Sequence, residues 1–324
     1  MDCIKDNSVV NKLMFAPRAS SYDADLGVCW IKNICCQFLM YEHYDNMKIL
    51  EPTSVIETHP VIILCHGNAC DIGNMSDFGK RLCKECHCHV LLYEYPGYGL
   101  STGVPTENSC TEGLTNIINH LKEKMNIPIQ NMIFYGQSIG SGVVAAGYKY
   151  CKTQFNQSPI GLILITPYLS IKALASDISP SCCSVPILER FDTKENIRYC
   201  DTGLLIIHGD RDEVIPVSHG KTLNEIANCP VKILDIVPNA THNNIPDFRI
   251  VHGCNNLLLN LRVRVNVNVN VDVEYHNNII WTIPNPLYNS EPGIFSMLFS
   301  SSLEASTAST INTSKSLFDS CVLS

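Results

Sequence analysis

Ser138 stands between Gly136 and Gly140 in the stretch FYGQSIGSG, residues 134–142. A serine hydroxyl attacks a carbonyl carbon only once a base takes its proton, so this pattern carries chemistry only if the chain also supplies a base, an acid to orient it and donors for the oxyanion. Candidates for each follow an apolar run. After GLLIIH (203–208) comes GDRDEVIP (209–216), with Asp210 and Asp212; after VKILDIV (231–237) comes PNATHNNIP (238–246), with His242. The order serine, acid, histidine, each after a strand, suits a proton relay in which His242 is the base. Asp212 is the preferred orienting acid and Asp210 the alternative, whose other role is to cap a turn. The oxyanion needs two backbone N–H groups. Ile139, next after the serine, supplies one, and Asn68 in CHGNACDIG (65–73) supplies the other. His66 and His208, each followed by glycine, read as structural loop histidines.

Such residues work only if elements bring them to one place. From residue 61 onward, short aliphatic runs alternate with longer amphipathic stretches, the rhythm of a parallel sheet crossed by helices. The runs are 61–65, 89–95, 131–135, 161–166, 203–208 and 231–237, nearly continuous in apolar character, as strands covered on both faces must be. Between them, 76–86, 107–125, 139–151 and 216–228 read as helices, the last with Pro216 in its first turn. The expectation is an α/β domain with a mostly parallel central sheet and helices on both faces. Ser138 then lies in a tight strand-to-helix turn, where only small neighbours fit.

Residues 167–200 break the rhythm, with Pro180, Pro186 and the pair Cys182-Cys183, and read as a small cap insertion. Its apolar members Leu169, Ile171, Leu174, Ile178, Val185, Ile187 and Leu188 are placed to line an acyl groove or to pack on the sheet. After about residue 250 the composition changes to LRVRVNVNVNVDVEY (261–275) and a Ser/Thr-rich stretch, read as a poorly ordered, low-complexity tail. The domain division expected is therefore 1–11 as an N-terminal tail, 12–250 as the folded domain and 251–324 as the tail.

The formal net charge of −8, from 23 Lys and Arg against 31 Asp and Glu, argues against a nucleic-acid partner. The first residues lack the apolar core of a secretory signal, so the 17 cysteines are expected as free thiols in a reducing, cytoplasmic setting. GVCWIKNICCQFLM (27–40) is interrupted by Lys32 and is shorter than the roughly 20 apolar residues a bilayer requires. CKECHCH (83–89) resembles a haem-attachment string and, with His89, a zinc site. Its place between a helix and a buried strand makes a structural role the expected one, with no cofactor and no metal.

The motifs taken together resemble the α/β-hydrolase domain-containing protein 17 family and its Bem relatives. The likeness runs in order through KLMFAPRASSYD (12–23), LCHGNACDIG (64–73), YEYPGYGLSTGVPTE (93–107), YGQSIGSG (135–142), RFDTKENIR (190–198), HGDRDEVIPVSHG (208–220) and ATHNNI (240–245). The resemblance implies an α/β-hydrolase fold with Ser138, Asp212 and His242 as the triad, and so favours Asp212 over Asp210. It implies a cofactor-free serine hydrolase, several of whose relatives remove palmitate from cysteine thioesters of membrane-associated proteins. Carboxylesterase, acyl-lipid hydrolase, peptidase-like hydrolase and a non-catalytic binding protein are the alternatives. The expected partner is an acylated protein or a small acyl ester or thioester, with peripheral membrane association open. Thr241 stands where many members have glycine. Pro246 and the Val/Asn tract occupy the place of the family's closing helix, so none is expected there.

Overall fold

In the computed structural model, residues 11, 14–41, 59–178 and 189–261 are described, all within one unit, Met1–Ile280. Its centre is an eight-stranded sheet: β1 (Cys29–Ile31), β2 (Ile34–Leu39), β3 (Val61–Cys65), β4 (His89–Tyr93), β5 (Met132–Gln137), β6 (Gly161–Ile165), β7 (Gly203–Gly209) and β8 (Val231–Val237). The spatial order is β1-β2-β4-β3-β5-β6-β7-β8. The six strands from β3 to β8 run parallel, and β1 and β2 add an antiparallel edge beside β4.

The near-continuous apolar runs are explained by burial on both faces. Val61, Ile63 and Cys65 of β3 belong to one core layer, and Ile62 and Leu64 to the other; Leu204 and Ile206 of β7 oppose Leu205 and Ile207 in the same way. The first layer is closed by α2 (Glu107–Glu123) and α3 (Ile139–Tyr150). The second is closed by α1 (Ile72–Cys86) and by a helix numbered α7 below. Start signals in the sequence account for the first two helices: Asp71 and Asn74 form a capping box on α1, as Thr106 and Ser109 do on α2.

The segment 167–200 lies between β6 and β7. Its described part contains α4 (Ile171–Ile178) and the single turn α5 (Thr193–Asn196). Leu169, Ile171 and Leu174 pack against the first core layer, while Pro180, Cys182, Cys183, Val185, Pro186, Ile187 and Leu188 lie outside the described residues. α6 (Val217–Ile226) ties this segment down: His219 Nδ1 accepts from the Leu169 N–H at 3.0 Å, and its Nε2 faces the Asp177 carboxylate at 2.7 Å.

One stretch gains a structure that the sequence reading did not assign, and one expectation requires correction. The apolar stretch from residue 27 to 40 forms the β1–β2 hairpin, with Ile31 paired to Ile34 across a Lys32-Asn33 turn. The folded domain also does not end at 250. α7 (Asp247–Asn260) runs straight across that boundary and occupies the place in which no closing helix was expected. Pro246 is no obstacle, because it precedes the first turn, where a missing N–H is not needed. Ile250, Val251, Cys254, Leu257 and Leu258 make the helical stripe that packs on the sheet. Arg81 of α1 pairs with Asp247 at 3.1 Å and Arg249 with Asp235 of β8 at 3.3 Å. The Val/Asn tract from 262 and the Ser/Thr-rich stretch lie outside the described residues, as do residues 1–10.

Candidate active site

Ser138 follows β5 and is the N-cap of α3, with φ 52° and ψ −117°. A serine in that place ordinarily folds its hydroxyl back onto its own helix, yet Ser138 makes no side-chain cap bond. The strained backbone turns the hydroxyl away from the helix, and the contacts around it show why glycine flanks it. A Cβ on Gly136 would meet the Gly140 carbonyl carbon at 2.6 Å, and one on Gly140 would meet the Cys65 carbonyl carbon at 2.9 Å. The turn is held by a bond from the Ser138 N–H to the Ile165 carbonyl at 2.9 Å. Bonds from the N–H and Oγ of Ser141 to the Ser138 carbonyl complete it.

His242 and Asp212 come to this serine from the neighbouring strands β8 and β7. His242 Nδ1 is 2.8 Å from Asp212 Oδ2, and its Nε2 is 3.1 Å from Ser138 Oγ. A carboxylate only accepts, so Nδ1 carries the proton and Nε2 is left to accept from the serine hydroxyl. Asp212 Oδ1 accepts from the N–H groups of Val214 and Ile215 at 2.9 and 2.8 Å, and the side chain is fully buried. Burial alone would push its carboxyl up. The hydrogen bonds from His208 and His242, the attraction of His242 and the Ile215 N–H outweigh burial and hold it well below the usual carboxylate range.

Asp210 is elsewhere engaged. Its Oδ1 accepts the Asn239 N–H at 2.6 Å and its own N–H donates to the Val237 carbonyl at 3.1 Å, so it ties the β7 and β8 loops together. Thr241 bonds through its N–H to Asn244 Oδ1 at 2.6 Å and leaves His242 in contact with both partners.

The loop 66–68 lies beside the serine: a Cβ on Gly67 would sit 3.8 Å from Ser138 Cβ. Ile139 is the first residue of α3, so its N–H is among the donors a helix leaves without an internal partner. Neither this N–H nor that of Asn68 meets a backbone acceptor in the turns and loops of the described residues. The Asn68 side chain anchors its loop. It donates to the Met14 carbonyl at 2.9 Å and accepts from the Ala16 N–H at 2.9 Å and from Tyr98 OH at 2.7 Å. Tyr95 OH donates to the His66 carbonyl at 2.7 Å, and His66 Nε2 lies 2.9 Å from the buried Glu94 carboxylate. The tyrosines of the YPGYG turn thus hold this loop, and His66 has the structural place expected of it.

His208 makes a contact that sequence reasoning missed. Its Nε2 lies 3.2 Å from Asp212 Oδ2, so the carboxylate serves two histidines. The only sequence signal was the spacing His208-x-x-x-Asp212 across a strand end. Cys83, Cys86 and Cys88 are buried in the second core layer, and among the described residues no group of three or more His, Cys, Asp or Glu is arranged to hold a metal. Every described cysteine is a free thiol. No described helix is long and apolar enough to cross a membrane.

A parallel sheet with a serine in a strained strand-to-helix turn, answered by a histidine and an aspartate from later strands, defines a class. The chain belongs to the α/β-hydrolase family. It is 33% identical to a protein of Acanthamoeba polyphaga mimivirus named as an α/β hydrolase, over 57% of this chain and 68% of that one. It is 34% identical to α/β hydrolase domain-containing protein 17B of Homo sapiens, over 57% of this chain and 60% of that one. It is 32% identical to α/β hydrolase domain-containing protein aho-3 of Caenorhabditis elegans, over 58% and 54%. The matched stretch thus spans 54% of the nematode relative and 60% of the human one. The family profile described as "Serine aminopeptidase, S33" matches residues 56–191. Among solved structures, the esterase Pf2001 of Pyrococcus furiosus superposes with a TM-score of 0.54 at 13% identity, covering 76% of this chain and 98% of that one. Est1E of Butyrivibrio proteoclasticus, solved with ferulic acid, also gives 0.54, at 14% identity, covering 73% and 99%. These two likenesses concern the fold.

Proposed function

We propose that the protein is a serine hydrolase that cleaves acyl esters and thioesters, with the S-palmitoyl group of a protein cysteine as its substrate class. The observation that carries the hydrolase chemistry is the continuous relay Ser138 Oγ, His242 Nε2, His242 Nδ1 and Asp212 Oδ2, with contacts of 3.1 and 2.8 Å. His242 takes the hydroxyl proton as Ser138 attacks the acyl carbon, and Asp212 steadies the imidazolium that results. The N–H groups of Asn68 and Ile139 receive the developing oxyanion, each worth about 3 kcal/mol in the transition state. His242 then hands its proton to the departing thiolate or alkoxide. Water, deprotonated by the same histidine, releases the acid from the acyl-enzyme.

Palmitoyl thioester is favoured by the resemblance to the domain-containing protein 17 group. The match to the serine aminopeptidase profile supports a peptide bond as the second reading. A series of thioesters from acetyl to palmitoyl, run beside an aminoacyl-amide substrate, separates them. Rising kcat/KM with chain length and no amide cleavage is expected. A preference for the amide would reverse the assignment.

A further inference from the structure

Asp212 Oδ2 lies 2.8 Å from His242 Nδ1 and 3.2 Å from His208 Nε2, and the same Nε2 lies 2.8 Å from the Ile215 carbonyl oxygen. A carboxylate and a carbonyl can only accept, so His208 Nε2 carries a hydrogen, which it donates to the Ile215 carbonyl while facing Asp212 Oδ2 at the longer distance. The other ring nitrogen, Nδ1, is buried without a hydrogen-bond partner. A Cβ on Gly220 would come within 2.7 Å of it, so α6 closes directly over that edge of the ring. A proton on Nδ1 would find no acceptor among the described residues, and the surroundings therefore fit the neutral Nε2–H tautomer. The ring is fully buried.

We propose that His208 is a positioning residue for the acyl-transfer reaction: its Nε2–H fixes the Asp212 carboxylate and draws charge from Oδ2, and so tempers how tightly that oxygen holds the proton on His242. The proposal rests on the reading of Ser138, His242 and Asp212 as the relay. Oδ1 is already locked by the Val214 and Ile215 N–H groups, so the freedom left to the carboxylate is the charge and direction of Oδ2. Oδ2 has two lone-pair sites and faces two imidazole N–H groups, that of His242 at 2.8 Å and that of His208 at 3.2 Å. Without His208, one lone pair is left bare in a buried place and the negative charge concentrates on the contact with His242. The imidazolium is then favoured over the neutral base, and a larger fraction of the enzyme is inactive at a given acid pH.

The test is the pH profile of kcat and KM on a p-nitrophenyl ester for wild type, His208→Leu, His208→Gln and Ser138→Ala, with thermal unfolding of each. Leucine fills the space without a donor, whereas the glutamine amide nitrogen falls near the place of Nε2 and can donate to Oδ2 and to the Ile215 carbonyl. His208→Leu is expected to lower kcat about tenfold, the size of one hydrogen bond to a charged group, with KM changed less than about twofold. Its acid limb is expected to move up by about half a pH unit or more. Glutamine restores the limb and most of kcat. A folded leucine variant with the wild-type acid limb, or a folded glutamine variant as impaired as leucine, overturns the proposal. If leucine does not fold, two-bond proton–nitrogen NMR of histidine-labelled wild type decides: the Nε2–H tautomer of His208 is expected, and the Nδ1–H tautomer overturns it. Activity surviving in Ser138→Ala refutes the relay itself, whereas an intact relay with an unmoved limb refutes only the role of His208.

Discussion

Replacing Asp212 by asparagine alters the site by one atom, and the structure fixes what that atom meets. The two N–H groups of Val214 and Ile215 require an acceptor, so the amide oxygen must take the place of Oδ1. The NH2 group then takes the place of Oδ2, 2.8 Å from His242 Nδ1 and 3.2 Å from His208 Nε2, where it faces two donors. His242 relieves the conflict by moving its proton to Nε2, which then presents a hydrogen to Ser138 and can no longer act as base. Loss of the correct tautomer in a relay of this type costs about 10⁴ in kcat, or about 5.4 kcal/mol of transition-state stabilisation at 1.36 kcal/mol per tenfold. Hydrolysis of a p-nitrophenyl ester by Asp212→Asn is therefore expected to fall by about that factor, with KM little changed. Asp210→Asn keeps an acceptor for the Asn239 N–H and is expected within about threefold of wild type. A folded Asp212→Asn protein within tenfold of wild type, or equal losses in the two variants, would refute the reasoning.

Other outcomes follow from the same contacts. Gly140→Ala forces a methyl against the Cys65 carbonyl beneath the serine turn, and is expected to cost about 1–3 kcal/mol in urea unfolding along with most of the activity. Because the folded Asp212 carboxyl lies below the usual range, its contribution to stability is fully present above about pH 4 and is lost as pH falls through the lower folded value. The difference in unfolding temperature between wild type and Asp212→Asn should accordingly shrink on going from pH 6 to pH 3; a widening gap would contradict the sign. Leu257 packs between α7 and the strand starts at Gly161 and Gly203, so Leu257→Ala is expected to cost about 2–5 kcal/mol. A loss below 0.5 kcal/mol, roughly the scatter at a surface site, would mean that α7 does not close the core.

Much of this was legible because the physics is local. Six apolar runs became the six parallel strands, since burial on both faces writes itself into consecutive residues. The glycines around Ser138 announced a backbone that admits no side chain. The β1–β2 hairpin stayed hidden because its turn, Lys32-Asn33, lacks the glycine that usually marks one, and Lys32 itself takes the positive φ of 57°. α7 is hard to read in the sequence because Pro246 precedes it and low-complexity composition follows it, leaving only the stripe Ile250, Val251, Cys254, Leu257 and Leu258 to mark it. The Asn68 side chain's hold on Met14, Ala16 and Tyr98 spans dozens of residues in each case, and no spacing rule reports such contacts. His208 was assigned to structure alone because a histidine at a strand end looks the same whether or not its ring reaches the carboxylate four residues on.

The central claim is that Ser138 is a nucleophile activated by His242. Fluorophosphonate labelling of the purified full chain tests it most directly, with Ser138→Ala and His242→Ala alongside and the adduct located by peptide mass. The account predicts covalent labelling of wild type on Ser138, none in Ser138→Ala and a large loss of rate in His242→Ala. A folded wild-type protein that takes no label, or one labelled equally in all three forms, would contradict it.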